Sequence, residues 1–505
     1  MTYGKSCGLA VMLGGLLAAA ASGAAPARPN LVFVFSDQQS WDMLGSYGNP
    51  DIQTPSLDRL ALAGVRFNHC ISNSPVCTPY RGMLFSGQHP LNQGAIQNDL
   101  QMLPGNGTYF AEVLRDAGYR TGYYGKWHLY GGDRERGVPP GPCRYGFDDE
   151  FLVNNCTLSF DAAHAFYWDQ DGRTKQLYNA WEPDGQTRQA MDFVDRRAGQ
   201  PFALFLSWHP PHNWSGGHEG YSAPEDLLKL YDPGALRLRS TVPDTPQVRR
   251  AYQGHMALIS GIDRAFGRLM EKLEERGLAD NTIVVFTSDH GDMLQSYGWA
   301  PNHKGRAESI SCRVPLLVRW PARLKPGTSD LLVGTLDLMP TLLGLMGLPV
   351  PATCQGRDTS GAILAGRDDG VEALPLFYLP LNWRGVYTRR HTYSVALHDP
   401  AEAPVPGGRE TFDVLYDRQA DPGETRNLFN DPDSAGLRGK LHAQTLEFMK
   451  MFGDAGLDCR EIIRRVVREE DLPAVEGPLS RRPDGAEARL RGRPVDLLKD
   501  VVPAP

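Results

Sequence analysis

A cysteine at the predicted start of a helix is the most reactive side chain that the sequence places in a defined setting. Residues 74–87 read SPVCTPYRGMLFSG, with Cys77 and Arg81 four residues apart. Thr78 is a favourable N-cap and Pro79 suits the first helical position, so a helix is predicted to begin next to Cys77. Backbone N–H groups at a helix start favour negative charge, which predicts a reactive thiolate at Cys77. Arg81 follows on the first turn, where it can hold an anion.

Two aspartates stand at the ends of short apolar runs. Residues 30–37 (NLVFVFSD) and 282–289 (TIVVFTSD) are typical of strands buried on both faces of a parallel sheet. Sites in such sheets form beyond the carboxyl ends of the strands, so Asp37 and Asp289 are expected to lie at one site. Hard cations such as Ca²⁺ and Mg²⁺ prefer oxygen ligands, and these two carboxylates supply them.

The stretch around Cys77 resembles a family signature. Cys77-Thr-Pro-Tyr-Arg81, followed by Gly87, resembles the Cys-x-Pro-x-Arg signature of the type I sulfatases, within the alkaline-phosphatase-like superfamily. The segment GKWHL at 125–129 is similar to a second family signature, and the resemblance covers roughly residues 28–450. It implies that a formylglycine-generating maturation enzyme oxidises Cys77 to Cα-formylglycine. The aldehyde then hydrates, and one hydroxyl of the gem-diol attacks sulfur.

The resemblance also implies roles for basic residues around this nucleophile. Lys126 would contact the sulfate and the nucleophile, and His128 would take the proton from the second hydroxyl, which expels sulfate. His212 matches the family histidine that contacts the bridging oxygen, and His209 is an alternative for that role. Lys304 matches the lysine that stabilises the leaving oxygen. Together with the signature arginine and a metal ion, these groups would stabilise the charge of one dianionic centre.

The implied metal site departs from the family pattern at two positions. The family shows a pair of acids at the first strand end and Asp-Asn at the second, whereas this chain has Asp37-Gln38 and Asp289-His290. We predict a site made by these four residues, Gln38 through its carbonyl oxygen, and by oxidised Cys77. Ca²⁺ is the default ion and Mg²⁺ an alternative, while the imidazole of His290 also suits Mn²⁺ or Zn²⁺. Both departures also occur in relatives that cleave choline sulfate or phosphonate monoesters.

The elements that must position these residues alternate between strand and helix. Residues 202–207 and 314–318 are further runs typical of buried strands. Helices are predicted from Thr54-Pro55 to Gly64 and from about residue 251 to 276. This alternation predicts an α/β fold with a doubly wound, mostly parallel sheet flanked by helices.

The C-terminal part of the chain has a different pattern. Short β-like runs at 385–388, 392–397 and 413–416 predict a smaller C-terminal antiparallel-sheet domain. We expect a signal peptide at 1–27, an N-terminal catalytic domain at 28–375, a C-terminal α+β subdomain at 376–457 and a tail at 458–505. Two interpretations stay open for Trp383 and Arg384, which open this subdomain. They reach the substrate pocket, with Arg384 on an acidic sugar or a sulfate, or they pack the joint between the domains.

Net charge, the N-terminal sequence and the cysteine count limit the possible binding partners and the cellular compartment of the protein. The formal net charge of −7 over 505 residues gives no indication of a nucleic-acid partner, which would favour a basic face. Lys5, an apolar run at 9–20 and small residues at 21–27 have the order of a secretory signal, which predicts export to the periplasm or the medium. No later run is apolar enough for stable membrane insertion. Eight cysteines become seven once Cys7 is removed, and whether the six besides Cys77 form disulfides stays open.

The substrate is predicted from the segment between Asn154 and Trp181, which mixes aromatic and polar side chains. Such a mixture suits carbohydrate, so we expect a sulfuric ester hydrolase that releases inorganic sulfate from a sugar of a sulfated glycan. Two alternatives stay open. The first is a phosphonate monoester or phosphodiester hydrolase on the same site, favoured by Gln38 and His290. The second is a non-catalytic glycan-binding relative, against which the presence of all the matched residues argues.

Overall fold

The computed structural model describes residues 1–2, 4, 28–132, 134–157, 159–214, 218–397 and 412–457. The predicted signal peptide apart from residues 1, 2 and 4 and the predicted tail lie outside these ranges. So does the turn that Pro406-Gly407-Gly408 predicts between the C-terminal β-like runs. Within the described ranges, no helix combines the length and the apolar character that crossing a bilayer requires. All six cysteines that the structure describes, Cys77 among them, carry free thiols rather than disulfides.

Two sheets make up the strand framework. The strands of the large sheet are β1 Asn30–Asp37, β2 Val65–Ile71, β3 Arg120–Lys126, β4 Glu150–Asn154, β5 Phe166–Trp168, β6 Lys175–Leu177, β7 Phe202–Pro211, β8 Thr282–Ser288, β9 Arg313–Val314, β10 Leu316–Arg319 and β11 Gly327–Gly334. Their spatial order is β11-β2-β10-β8-β1-β7-β3-β4-β5-β6, with β9 beside β2. The central strands β8, β1, β7, β3 and β4 run parallel. The predicted α/β fold with a mostly parallel sheet is confirmed.

Helices cover both faces of the large sheet. They are α1 Pro55–Ala63, α2 Cys77–Ser86, α3 Pro90–Gln93, α4 Phe110–Asp116, α5 Glu182–Arg197, α6 Glu225–Leu228, α7 Pro246–Glu275, α8 Ser309–Cys312, α9 Thr335–Leu345, α10 Ser360–Ala365 and α11 Ala435–Phe452. Alternate residues of β1 enter opposite cores. Leu31, Phe33 and Phe35 pack with α2, α4 and α9, whereas Val32 and Val34 pack with α1, α5 and α7. Burial on both faces explains why the run is continuously apolar.

The small sheet has four antiparallel strands, β12 Ala373–Tyr378, β13 Trp383–Thr388, β14 His391–Ala396 and β15 Val414–Asp417, in that spatial order. Helix α11 packs against it. Trp383 is fully buried, and its Nε1 donates to the carbonyl of Gly305 at 3.0 Å. The guanidinium of Arg384 pairs with Asp454 inside the fold. Trp383 therefore packs against the backbone next to Lys304, whereas Arg384 pairs within the C-terminal subdomain, and contact of either residue with substrate stays a prediction.

Two predicted helix starts are wrong. Helix α7 begins at Pro246 rather than near residue 251, and the side chain of Thr245 caps it by accepting from the N–H of Val248 at 3.2 Å. Helix α2 begins at Cys77, so Thr78 lies inside its first turn and is not the N-cap. The N–H of Thr78 donates instead to Asn98 Oδ1 at 3.0 Å. A side chain from another part of the chain thus supplies the acceptor that a local cap would have given.

Candidate active site and family membership

Cys77 is buried on the first turn of α2, with cationic groups around its sulfur. Its Sγ lies 3.2 Å from His290 Nε2, 3.7 Å from Lys304 Nζ and 3.7 Å from Asp37 Oδ1. Burial and the Asp37 carboxylate would raise the pKa of this thiol. The charges of Lys126, Lys304 and His290 outweigh them and hold that pKa well below its usual value. The predicted reactive thiolate thus has a cause beyond the helix start.

Four ligand-type side chains surround one point next to Cys77. The candidate ligand atoms of Asp37, Cys77, Asp289 and His290 all lie within 4.8 Å of one another, and all four residues are buried. Strands β1 and β8 are parallel and pair Ser36 with Ser288, so the aspartates that follow them emerge side by side. The Nδ1–H of His290 donates to the carbonyl of Gly291 at 3.0 Å, which directs Nε2 at the cluster. Two carboxylates and an oriented imidazole fit a divalent metal ion.

Arg81 lies behind the two aspartates. Its Nη2 donates to Asp37 Oδ2 at 3.3 Å and to Asp289 Oδ2 at 3.2 Å, while Nη1 donates to the carbonyl of Lys126 at 2.7 Å and to Ser207 Oγ at 2.9 Å. The anions that it contacts are therefore the two carboxylates. The structure gives Arg81 a clear part in holding these acids, and its predicted contact with substrate stays a prediction.

Lys126 ends β3 and pairs with Asp37 Oδ2 in the protein interior. Burial would raise the pKa of Asp37, but the charges of Lys126 and Arg81 lower it well below the usual value. Asp37 is thus ionised over the ordinary pH range. Its Oδ2 is held by the two cations, which leaves Oδ1 on the side of Cys77 and His290.

The amide of Gln38 has an unambiguous orientation. Its Nε2 donates to Asp292 Oδ2 at 2.8 Å and to Asn302 Oδ1 at 2.7 Å, and its Oε1 accepts from Lys304 Nζ at 2.6 Å. Tyr221 OH donates to the same buried Asp292 oxygen. The carboxylate at Asp292 explains why an amide, which can donate, stands where the family pattern has an acid. Coordination of a metal ion by Gln38 stays a prediction.

We expect Gln38→Glu to destabilise the protein by about 1–3 kcal/mol, because a carboxylate would face the buried Asp292 with no proton to share. The double variant Gln38→Glu/Asp292→Asn restores one donor and one acceptor, so it should be more stable than the sum of the single changes predicts. Denaturant unfolding of the wild type, the two single variants and the double variant measures the coupling free energy between positions 38 and 292. Strict additivity would contradict the interpretation.

Lys304 and His212 form a second contact pair at the cluster. Lys304 Nζ donates to His212 Nε2 at 2.9 Å, and His212 Nδ1–H donates to the carbonyl of Asn213 at 2.6 Å. Burial and the charge of Lys304 lower the pKa of His212 well below its usual value, so this ring is neutral. His209, the alternative, is fully buried and directs Nδ1 to Glu182 at 2.9 Å. The structure thus brings His212, and not His209, to Lys304.

His128 follows β3, and its surroundings contain residues that the sequence did not indicate. Its Nε2 lies 3.0 Å from Asp99 Oδ1, and the hydroxyl of Thr78 donates to its carbonyl at 2.9 Å. The Cys156 thiol lies beside the same ring, where His128 and Lys126 overcome the effect of burial and lower the pKa of Cys156 to about 6. Asp99 and Cys156 belong to no motif, and each comes from a segment without regular periodicity.

The comparisons with known proteins agree with this geometry. Residues 29–348 match the sulfatase family, and residues 299–451 match the C-terminal region of N-sulphoglucosamine sulphohydrolase. An ulvan-active sulfatase of Formosa agariphila is 32% identical over 443 residues, which cover 85% of this chain and 82% of that protein. Human arylsulfatase A is 30% identical over 506 residues, covering 91% and 95%.

A solved structure agrees over the same length. The protein yidJ from Bacteroides fragilis superposes with a TM-score of 0.76 at 30% identity, covering 85% of this chain and 97% of that one. The family match at residues 29–348 extends over the strands and loops that carry the cluster around Cys77. The chain therefore belongs to the sulfatase family and is an enzyme that hydrolyses sulfuric esters.

Proposed function

We propose that the protein removes O-sulfate from a sugar unit of a sulfated glycan, with Cys77 oxidised to formylglycine as the nucleophile. The observation that carries the proposal is the position of the Cys77 sulfur, which lies within 3.7 Å of Lys304, His290 and Asp37 at once. An oxygen nucleophile on the same side chain would face the ammonium of Lys304 and the candidate metal ligands Asp37 and His290.

The surrounding residues have distinct parts in this proposal. A divalent cation held by Asp37, Asp289 and His290 would supply positive charge next to the oxygen of residue 77. Lys126 adds positive charge on the side of Asp37. Lys304, hydrogen-bonded to neutral His212, donates to the oxygen that leaves with the sugar. Positive charge on opposite sides of the sulfate stabilises the charge that shifts during the reaction.

We expect chelation to remove activity, because the two buried aspartates and the oriented imidazole suit a bound cation. Sulfate release should fall to background after dialysis against EDTA and return on adding Ca²⁺ or Mg²⁺. Parallel additions of Mn²⁺ and Zn²⁺ rank the ions, since His290 adds a nitrogen donor to the carboxylate oxygens of Asp37 and Asp289. Full activity in protein shown by elemental analysis to be free of metal would contradict this site.

The glycan substrate is supported by the segment that follows β4. Tyr167 and Trp168 of β5 keep partial exposure, whereas Phe160 and Phe166 are buried in the fold. Trp168 Nε1 donates to the carbonyl of Glu135, so the indole is held in place. Fixed, partly exposed aromatic rings suit the faces of sugars. The ulvan-active relative acts on a sulfated polysaccharide, which agrees with this substrate class.

A panel of sulfated oligosaccharides of defined linkage, with sulfate release as the readout, tests the substrate. We expect release from some members of the panel and weaker release after Trp168→Ala. Release from aryl sulfates with none from any glycan would contradict the glycan proposal and leave the sulfatase assignment intact. An aryl phosphonate ester cleaved faster than the matching aryl sulfate would favour the alternative that Gln38 and His290 suggested.

Export and the division into domains complete the proposal. We infer removal of residues 1–27 and action in the periplasm or the medium, on the order of charge, apolar run and small residues in the sequence. The catalytic region would end near residue 375, where the small sheet begins. N-terminal sequencing of protein exported by its native host tests the removal of residues 1–27, and mature protein that starts at Met1 would contradict it.

A further inference from the structure

His128 is held in place by two backbone hydrogen bonds and by one of its ring nitrogens. Its backbone N–H donates to the carbonyl of Asn155 at 2.6 Å, its carbonyl accepts from Thr78, and its φ of 56° is in the left-handed region. Nε2 lies 3.0 Å from Asp99 Oδ1. Nδ1 is buried and has no hydrogen-bond partner among the residues that the structure describes, with the Cys156 thiol close by. Only one of the two ring nitrogens is thus committed to a carboxylate.

The surroundings of Asp99 keep its side chain ionised. It is 6% exposed, and its own φ of 67° is also left-handed, an unusual conformation for a residue other than glycine. Arg134 donates to both oxygens, from Nε to Oδ1 at 2.8 Å and from Nη2 to Oδ2 at 2.7 Å. Burial would raise the pKa of Asp99, but the bonds from His128 and Arg134 lower it below its usual range.

We propose that Asp99 is a positioning residue of the sulfatase reaction, which orients His128 with Nε2–H toward itself and Nδ1 toward the reacting atoms. The inference rests on the proposed function, in which His128 acts as the proton acceptor. The proton of the second hydroxyl on residue 77 moves to Nδ1, the carbonyl re-forms from that oxygen, and the carbon–oxygen bond to sulfate breaks. Sulfate leaves with the bonding pair. The negative charge of Asp99 stabilises the imidazolium so formed.

Lys126, Cys156 and Asp99 face His128, and the sign of each one's effect on the pKa of His128 is known. Burial lowers the pKa of His128 and Lys126 lowers it further, while Cys156 and the hydrogen bond to Asp99 raise it, with a net rise to about 10. The neutral ring that accepts the proton is therefore the minor form at neutral pH, and its share grows as the pH rises. Arg134 lies behind Asp99 and opposes it. Removal of the Asp99 charge must therefore lower the pKa of His128, and removal of the Arg134 charge must raise it.

Pre-steady-state kinetics on an aryl sulfate separate the two halves of the reaction, because the phenol leaves before sulfate does. In Asp99→Asn, we expect the sulfate-releasing half to slow tenfold or more. Phenol should then appear in a burst equal to the enzyme concentration, and kcat and KM should fall together while kcat/KM changes less than about threefold. Asp99→Glu, which keeps the charge, should recover part of the rate.

Asp454→Asn is the matched control, because Asp454 is also a buried carboxylate paired with an arginine but lies outside the site. It should lower the melting temperature without producing a burst. A readout independent of turnover is the nitrogen-15 spectrum of histidine-labelled protein, with His128→Gln to identify the signal. The pKa of His128 should shift down in Asp99→Asn and up in Arg134→Gln.

Three results would overturn the inference. The first is an active Asp99→Asn enzyme without a burst, and the second is an unshifted His128 titration in both variants. The third is a wild-type enzyme that releases no sulfate from any ester, which would overturn the proposed function as well and is distinguishable on that ground. If Asp99→Asn does not fold, the opposite shift expected for Arg134→Gln still decides the question.

Discussion

Cys77→Ala is expected to abolish sulfate release, with a loss of at least about 10⁴-fold, while the protein still folds. The side chain that it removes is the one at which Lys304, His290 and Asp37 converge. Alanine fits the first turn of α2 and leaves every ion pair behind the site in place. The measurement is sulfate release by wild type and variant under equal metal loading, with melting temperature as the check on folding.

Cys70→Ala is the matched control, since Cys70 is also a buried free thiol but lies in the core on β2. It should keep its activity. Mass spectrometry of the peptide spanning Cys77 adds a second observation, because active protein should carry an aldehyde or its hydrate at that residue. Fully active protein with an unmodified thiol at Cys77 would falsify the proposed nucleophile.

Asp37→Asn is expected to lose both activity and stability. Its carboxylate neutralises Lys126 and shares Arg81 with Asp289, and all of these side chains are buried. Removal of one partner from a buried pair costs about 3–5 kcal/mol, because the remaining charge is left without water or a counter-charge. We expect activity to fall by about 10³-fold or more and metal content to fall with it.

The pH dependence of the stability lost in Asp37→Asn has a definite sign. The pKa of Asp37 is depressed in the folded protein, so its stabilising contribution is fully present above its unfolded value and is lost as the pH falls. The difference in unfolding free energy between wild type and Asp37→Asn should therefore be constant at neutral pH and shrink below about pH 4.

The matched control is Asp337→Asn, which alters a buried carboxylate paired with Arg357 away from the site. This variant should lose stability but keep activity.

The parts of the fold that could be predicted are those with a local signal. The runs of β1 and β8 are apolar at successive positions because both faces of these strands are buried, and the aspartates at their ends followed from the topology of parallel sheets. Strand β12 was not predicted, because Pro375 interrupts its pattern. The structure tolerates that proline since β12 is at the edge of the small sheet.

The missed residues of the site share one physical cause, which is that their partners are distant in sequence. Asn98 accepts from the first turn of α2, and Asp99 accepts from His128 and Arg134. Each contact joins segments that lie 20 to 35 residues apart in the sequence and meet only in the folded protein. No spacing of residue types along the chain indicates such a contact, whereas the family signatures located Cys77 and Lys126 directly.

The bond from Trp383 to Gly305 has a consequence for engineering this enzyme. Gly305 follows Lys304, and its N–H donates to the carbonyl of Pro75, two residues before Cys77. A tryptophan of the small sheet thus supports the backbone next to Lys304. Chimeras that exchange this sheet between relatives would alter turnover together with substrate preference. Grafts that retain the indole and its acceptor are the ones in which preference alone can change.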